Sequence, residues 1–397
     1  MKRPKGKLPA AWLQLRYQKN RLLVALFGVI FAVVIIFMQL GIRDGLFDSA
    51  VRLHQALDGD CFLISPRTTS LIAMEAFPER RLLQASAFDE VELVSPIYLS
   101  YAQWKNPKTR NYWRNIFVIG FDLRHSILNL PGVAENSDKL KLPDQVLFDA
   151  DSRSEFGPIV TDFQENGRVI TEVSPSRQGN KNNRKIEVAG LFKLGTSFGA
   201  DGNLIVSHLN FLRIFSNRDE RFINIGLIRL KPRTDIHQFL DNLKKYLPQD
   251  VKILSKQELI DFEKNYWQTS TPIGFTFNLC ATLGIIVGSI VVYQILYTNI
   301  SEHLSEYATL KAIGYRHRYL LSMVLQQALL IAILGYIPGF LISLIQYKFI
   351  QQATLLPIQM TVSRALFVFI LTIIMCFISG ATAVRKLQDA DPADIFQ

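Results

Sequence analysis

The chain has 397 residues, 49% of them hydrophobic and 20% charged, with a formal charge of +10. Its apolar residues gather into four blocks, each about as long as a bilayer is thick, which excludes an ordinary soluble globule. Much of the excess charge lies in Lys2, Arg3, Lys5, Lys7, Arg16, Lys19 and Arg21, ahead of the first block and with no acid among them, so it reads as membrane topology and headgroup contact and not as a nucleic-acid surface.

Residues 1–21 form a cytoplasmic basic segment. Within it Leu8, Trp12 and Leu15 share one helical face while Arg16 and Lys19 fall toward another, the pattern of an interfacial helix; an unstructured basic tail is the alternative. Leu22–Leu40 is the first span. The run is longer than the apolar core of a signal peptide and ends in MQLGIRDGLF without a small-residue cleavage site, so it predicts an uncleaved anchor. Phe47, Ala50, Val51, His54 and Leu57 keep helical spacing beyond it, predicting a stalk that ends near Asp58–Gly59.

Residues 41–271 read as a large extracytoplasmic α/β domain. Candidate strands are Cys61–Ser65, Val91–Gln103, Ile116–Phe121, Arg184–Leu194, Asn203–Ser207, Ile223–Lys231 and Val251–Leu254. Between the last two, Thr234 or Asp235 can cap a helix carrying Ile236, Phe239, Leu240, Leu243 and Tyr246 on one face and stopped by Pro248. This β-α-β unit predicts a small open sheet with helices on one side. Ser255–Glu258 is a capping-box pattern opening a second stalk, and Thr271–Pro272 predicts a fresh helix start. Three further spans follow at 272–297, 319–345 and 365–384, separated by a cytoplasmic loop at 298–318 and a short outer loop at 346–364. A cytoplasmic tail at 385–397 closes the chain. The fold class is thus a membrane protein of four transmembrane helices, one plus three, with the α/β domain inserted between helices 1 and 2 on helical stalks.

Nothing along the chain assembles a reaction centre. There is no G-x-x-x-x-G-K-[ST] phosphate loop; Gly195–Gly202, GTSFGADG, lacks the lysine and reads as a tight turn between strands. The six histidines lack metal-ligand spacing, no G-x-S-x-G elbow occurs, and the acids of the aqueous domain read as solvated surface. Catalytic, cofactor and metal residues are therefore assigned to none. Of the cysteines Cys61, Cys280 and Cys376, only the first lies in the aqueous domain, so that domain has no internal disulfide. The spans hold few ionisable residues, which argues against an ion-coupled carrier; Asn278, Gln294, Gln326 and Gln327 suit helix-to-helix contact. Gly284-x-x-x-Gly288 is a close-approach motif that fits either a homodimer seam or packing within one subunit, whereas Gly335-x-x-x-Gly339 contains Pro338 and reads as a kink.

The most informative stretch is Ser301–Tyr315, SEHLSEYATLKAIGY. On a helix, Leu304, Tyr307 and Ala308 share one face, and Glu302, Glu306, Thr309 and Ile313 the opposite one, with Gly314 placed to terminate it. Such a two-faced element can dock in a partner's groove or lie on lipid. SEYATLKAIGY resembles the coupling segment of MacB/FtsX-type ABC transporter permeases, and the closing RKLQDADPADIF is similar to that family's basic pair followed by D-P-x-x-x-hydrophobic. AWLQLRYQKNRLLVALFGVIFA, SRSEFGPI (Ser152–Ile159) and LGTSFGADGNLIVS (Leu194–Ser207) look like the DevC permeases of cyanobacterial exporters.

The resemblance implies a non-enzymatic permease of the inner membrane, with both termini cytoplasmic and the large domain periplasmic. It implies a homodimer working with two copies of a separate ABC ATPase, a periplasmic membrane-fusion adaptor and a TolC-like outer-membrane channel. ATPase motion would enter through Glu302, Ser305, Glu306, Thr309, Leu310, Lys311, Ala312, Ile313 and Gly314 and pass mechanically to the outer domain. Glycolipid export is the associated cargo. An FtsX-like regulator of cell-wall hydrolases and a lipoprotein-releasing permease share the architecture.

Overall fold

The computed structural model describes residues 19–175, 183–302 and 317–388. Its helices, in chain order, are α1 (Lys19–Ala50), α2 (Arg52–Ala56), α3 (Arg80–Ala85), α4 (Val133–Asn136), α5 (Ile159–Asn166), α6 (His208–Ile214), α7 (Ile236–Tyr246), α8 (Lys256–Asn265), α9 (Pro272–Glu302), α10 (His317–Thr354) and α11 (Val362–Gln388). The strands are β1 (Cys61–Ile64), β2 (Phe77–Pro78), β3 (Val91–Lys105), β4 (Trp113–Phe121), β5 (Gln145–Asp149), β6 (Val169–Ser174), β7 (Arg184–Phe192), β8 (Asn203–Ser207), β9 (Phe222–Ile223), β10 (Ile225–Leu230) and β11 (Lys252–Ser255). The chain divides into a membrane unit (the described parts of 1–45, 273–354 and 358–397) and an α/β unit (46–272 with 355–357).

Among the described residues four helical stretches are long and apolar enough to cross a membrane: Leu22–Ala50, Pro272–Thr298, Leu321–Thr354 and Val362–Val384. Within the membrane unit Phe37 of the first span packs on Tyr336 and Phe340, and elsewhere the span meets glycines. A Cβ on Gly288 would lie 2.6 Å from Ala32 Cβ, and one on Gly284 3.1 Å from Ile35 Cγ2. On α10, a Cβ on Gly335 would meet Val29 Cγ1 at 2.6 Å, and one on Gly339 would meet Val33 Cγ1 at 2.8 Å. In return a Cβ on Gly28 of α1 would meet Val291 Cγ1 at 2.3 Å. Without a hydrophobic drive between helices in lipid, such close backbone approach is what makes packing worthwhile.

Two span boundaries differ from those expected. The composition of α10 turns polar after Ile345, but the helix runs on to Thr354, because Tyr347 is buried there and its hydroxyl donates to the Phe37 carbonyl at 2.5 Å. Leu355, with φ of 60°, ends it, and α11 starts at Val362, so the connection between these helices is 355–361 and not 346–364. Likewise α1 breaks at Val51 before the short helix α2, so the first stalk is two pieces and not one continuous helix.

The α/β unit is built on a nine-stranded sheet in the order β11-β1-β10-β3-β4-β8-β5-β7-β6. β3 is 15 residues long and pairs with β10 at one end and with β6, at Gln103–Ser174 and Trp104–Val173, near the other. That last pairing closes β3-β4-β8-β5-β7-β6 into a ring. Alternate residues face two cores: Cys61, Leu63, Trp104, Ile116, Val118 and Val206 into one, Phe62, Ile64, Leu99, Phe117, Ile119 and Ile205 into the other. The expectation of a small open sheet covered on one side is therefore corrected. Both faces are buried, and the runs look continuously apolar for that reason. The predicted β10-α7-β11 unit is present, with Asp235 accepting from the amides of His237 and Gln238. So is the capping box of α8: the Glu258 amide donates to Ser255 Oγ at 3.2 Å, and the Ser255 amide to Glu258 Oε2 at 2.7 Å.

Candidate functional site

Of the predicted coupling residues, Glu302 is the last residue of α9. Ser305, Glu306, Thr309, Leu310, Lys311, Ala312, Ile313 and Gly314 lie outside the described residues. Gly284 and Gly288 stand on α9 against α1 of the same chain, and Gly288 also faces Met375 of α11, its added Cβ 2.8 Å from the sulfur.

Within the α/β unit, the glycine-rich turn Gly195–Gly202 joins β7 to β8, as predicted, and it does more. Both ends of the unit's chain meet on it. Arg52, the first residue of α2, donates from Nη1 to the Leu194 carbonyl at 3.0 Å. Gly195 has φ of +88°, and a Cβ there would sit 1.9 Å from that same Nη1, so only glycine fits. From the other end of the chain, Trp267 packs edge-on against Phe198, with ring centroids 4.9 Å apart. Tyr101 of β3 donates to the Gly199 carbonyl at 2.5 Å. A small cavity of about 20 Å³ lies among Arg52, Leu71, Tyr101, Leu194 and Asn203.

Asp149, at the end of β5, organises this turn. Its Oδ2 accepts from the Gly195 amide at 2.9 Å and from Asn203 Nδ2 at 2.8 Å; its Oδ1 accepts from the Leu194 and Asp151 amides, both at 3.1 Å. Burial pushes its pKa up, and these hydrogen bonds pull it back. Arg52 is drawn down by burial, with Asp149 and Asp151 opposing.

A second buried acid sits one step away. Glu263 of α8 accepts from the Leu71 amide at 2.7 Å and from Trp267 Nε1 at 2.8 Å. It is 1% exposed, and burial raises its pKa to about 7. On α2, His54 is fully buried with neither ring nitrogen hydrogen-bonded, and burial lowers its pKa to about 4. Both positions were open to sequence reading: Leu259, Glu263 and Trp267 follow one another at i, i+4 on a single helical face, and His54 falls on the apolar face of the predicted stalk.

Among the described residues no three His, Cys, Asp or Glu side chains converge on a metal-sized site. The Cys61 thiol is pushed up to about 12 by burial, which leaves it without nucleophilic character at neutral pH. The Gly195–Gly202 turn ties α2, which follows the first span, to the Tyr266–Ser270 turn, which precedes the second.

Residues 278–392 match the family described as FtsX-like permease C-terminal. The match takes in nearly all of α9, α10 and α11 and the whole segment between α9 and α10. No curated protein matches the chain. Among solved structures, the periplasmic region of MacB from Actinobacillus actinomycetemcomitans is similar at 11% identity and a TM-score of 0.35, over 53% of this chain and 95% of that one. The extracellular domain of the noncanonic ABC-type transporter YknZ from Gram-positive bacteria is similar at 12% identity and a TM-score of 0.33, over 50% of this chain and 100% of that one.

In the membrane unit, the structure gathers a charged cluster that sequence reading did not. Arg43 and Asp44 of α1, Asn278 of α9, Tyr347 of α10 and Arg364 of α11 meet at the end of the helices that leads to the α/β unit. The signal was available as opposite charges at the ends of two apolar blocks, IRD after the first and VSR before the last.

Proposed function

We propose that the chain is the membrane-spanning permease subunit of an ABC exporter, and that it passes the motion of a separate ATPase to its α/β domain. The observation that carries this is the family match at 278–392, a range that includes the residues expected to meet the ATPase, 302–314. In this reading two copies of the chain work with two ATPase copies, and the α/β domain stands outside the cytoplasm, where it meets a periplasmic adaptor and, through it, a TolC-like channel. Glu302, Glu306 and Ile313 face the ATPase. The inner membrane holds the spans, with both termini in the cytoplasm. The resemblance to DevC permeases makes glycolipid the first cargo to test.

The Gly195–Gly202 turn supports a mechanical role, because one short loop takes hold of the chain where it enters and where it leaves the α/β unit. Transmission between two global arrangements needs such shared contacts. In the test, the full chain is purified from its own membranes with the ATPase activity that accompanies it. Glu306→Ala and Lys311→Ala are expected to reduce that activity while membrane insertion stays intact. Unchanged activity in both variants would remove these residues from the coupling contact, and substrate turnover by the chain alone would overturn the permease reading. Co-purification of a periplasmic adaptor supports export, whereas a cell-wall hydrolase in its place would move the function to the FtsX-like regulator.

A further inference from the structure

The cluster at the end of the spans is short of one negative charge. Asp44 is its single carboxylate. Its Oδ2 accepts from Arg364 Nη2 at 2.8 Å and its Oδ1 from Arg43 Nε at 2.9 Å. Arg43 Nη1 goes on to Asn278 Oδ1 at 3.0 Å. Arg364 Nη1 donates to the Gln359 carbonyl at 2.7 Å and reaches the Tyr347 hydroxyl at 3.5 Å. Two guanidiniums thus share one acid.

The backbone adds to the imbalance. Arg364 is in the first turn of α11, which has no acid of its own, and that is the end where the helix dipole is positive and a cation is disfavoured. The Arg364 side chain is 9% exposed, and its Nε–H has no acceptor among the described residues. Of the two guanidiniums, Arg43 is the open one, at 29% exposed against 9% for Arg364.

We infer that this cluster binds an oxyanion carried by an amphiphile, the phosphate of an anionic lipid headgroup in the leaflet on the α/β side, with Arg43 as the accessible contact and Arg364 as the buried anchor. Guanidinium forks match the oxygens of a phosphate in pairs, and a ligand of charge −1 neutralises the cluster. Its acyl chains would lie along the apolar flanks of the spans, which the exposed Leu366, Phe367 and Ile370 of α11 provide. The inference stands on the membrane unit alone and holds whether or not an ATPase drives the chain.

The experiment is native mass spectrometry of the full chain in neutral detergent, titrated with dioleoylphosphatidylglycerol and, separately, with dioleoylphosphatidylcholine. Wild type is expected to retain the anionic lipid in preference to the neutral one. Arg43→Gln, which leaves the Asp44–Arg364 pair in place, is expected to weaken that retention about tenfold, with the melting temperature unchanged. Arg364→Gln removes the anchor and is expected to abolish the preference; if it fails to fold, Arg43→Gln alone decides. Inorganic phosphate that leaves the lipid bound supports the headgroup as the source. Phosphate that displaces it at equal concentration keeps the oxyanion site and overturns the lipid as its source. Equal retention of the two lipids by wild type, or an Arg43→Gln protein that binds like wild type, would overturn the inference.

Discussion

The two buried titratable groups at the stalks, Glu263 and His54, make a sharp prediction about pH. Glu263 has its pKa raised from 4.5 to about 7. The folded state therefore holds its proton more tightly than the unfolded one. Its contribution is fully present below pH 4.5 and is lost as the pH rises through about 7. Between about pH 5 and about pH 8 this removes about 2–3 kcal/mol. His54 is lowered from 6.5 to about 4. Its stabilising contribution is present above 6.5 and is lost as the pH falls toward 4, which takes away about 2 kcal/mol on going from about pH 8 to about pH 5. The two slopes oppose and nearly cancel, so the part of the wild-type stability curve owed to them is almost flat.

Single variants uncover each slope. Glu263→Gln keeps one acceptor for the Leu71 amide or the Trp267 indole and loses the other, a constant penalty of about 1 kcal/mol. What matters is the slope: relative to wild type, this variant gains about 2–3 kcal/mol as the pH goes from about 5 to about 8. His54→Leu shows the opposite trend. The assay is denaturant unfolding of the purified full chain at a series of pH values, read by tryptophan fluorescence, with Trp267→Phe identifying the signal from the joint. A Glu263→Gln protein whose unfolding free energy tracks wild type at every pH would refute the assignment of a raised pKa to this site.

Two further outcomes follow from the contacts. Asp149→Ala strands three backbone amides and leaves the Asn203 amide only the Gly195 carbonyl, and about 3 kcal/mol or more of stability should go with them; hydrogen exchange at Leu194 and Gly195 should rise with it. Gly288→Val forces a methyl-bearing carbon into Ala32 and Met375, an overpacking that costs about 1–3 kcal/mol; a lower melting temperature in detergent checks it, and a melting temperature equal to wild type would move the glycine out of the packed seam.

The four spans were legible because hydrocarbon thickness sets a length that composition reveals directly. Their ends were less so. Tyr347 and Gln346 look like the start of an aqueous loop, yet Tyr347 is buried and bonded to Phe37 on a helix far away in sequence. In the α/β domain the apolar strands could be read, while Gln145–Asp149 and Val169–Ser174 were missed: the first holds three apolar residues between Gln145 and Asp149, and the second is interrupted by Thr171 and Glu172. The closure of the sheet on itself depends on Trp104 meeting Val173, a pairing that no local pattern carries. At the site, the glycine-rich turn could be recognised as a turn but not as the meeting point of Arg52 and Trp267. Asp44 and Arg364 are 320 residues apart, and only the folded bundle makes them partners.

The glycine-lined seat of the first span has a consequence for how the protein is made. Gly284, Gly288, Gly335 and Gly339 all follow the inserted domain, so α1 leaves the ribosome long before the surfaces that will hold it exist. During that interval it must live in the bilayer without those partners. It is equipped for this, being the most apolar of the four spans, with a mean hydropathy of 2.9 against 2.2 to 2.4 for the others. Gly28, Val29, Ala32 and Val33, the residues it later presents to its partners, leave no polar group unmet while it waits. Complementarity of shape lets the bundle close late without penalising the helix that arrives early.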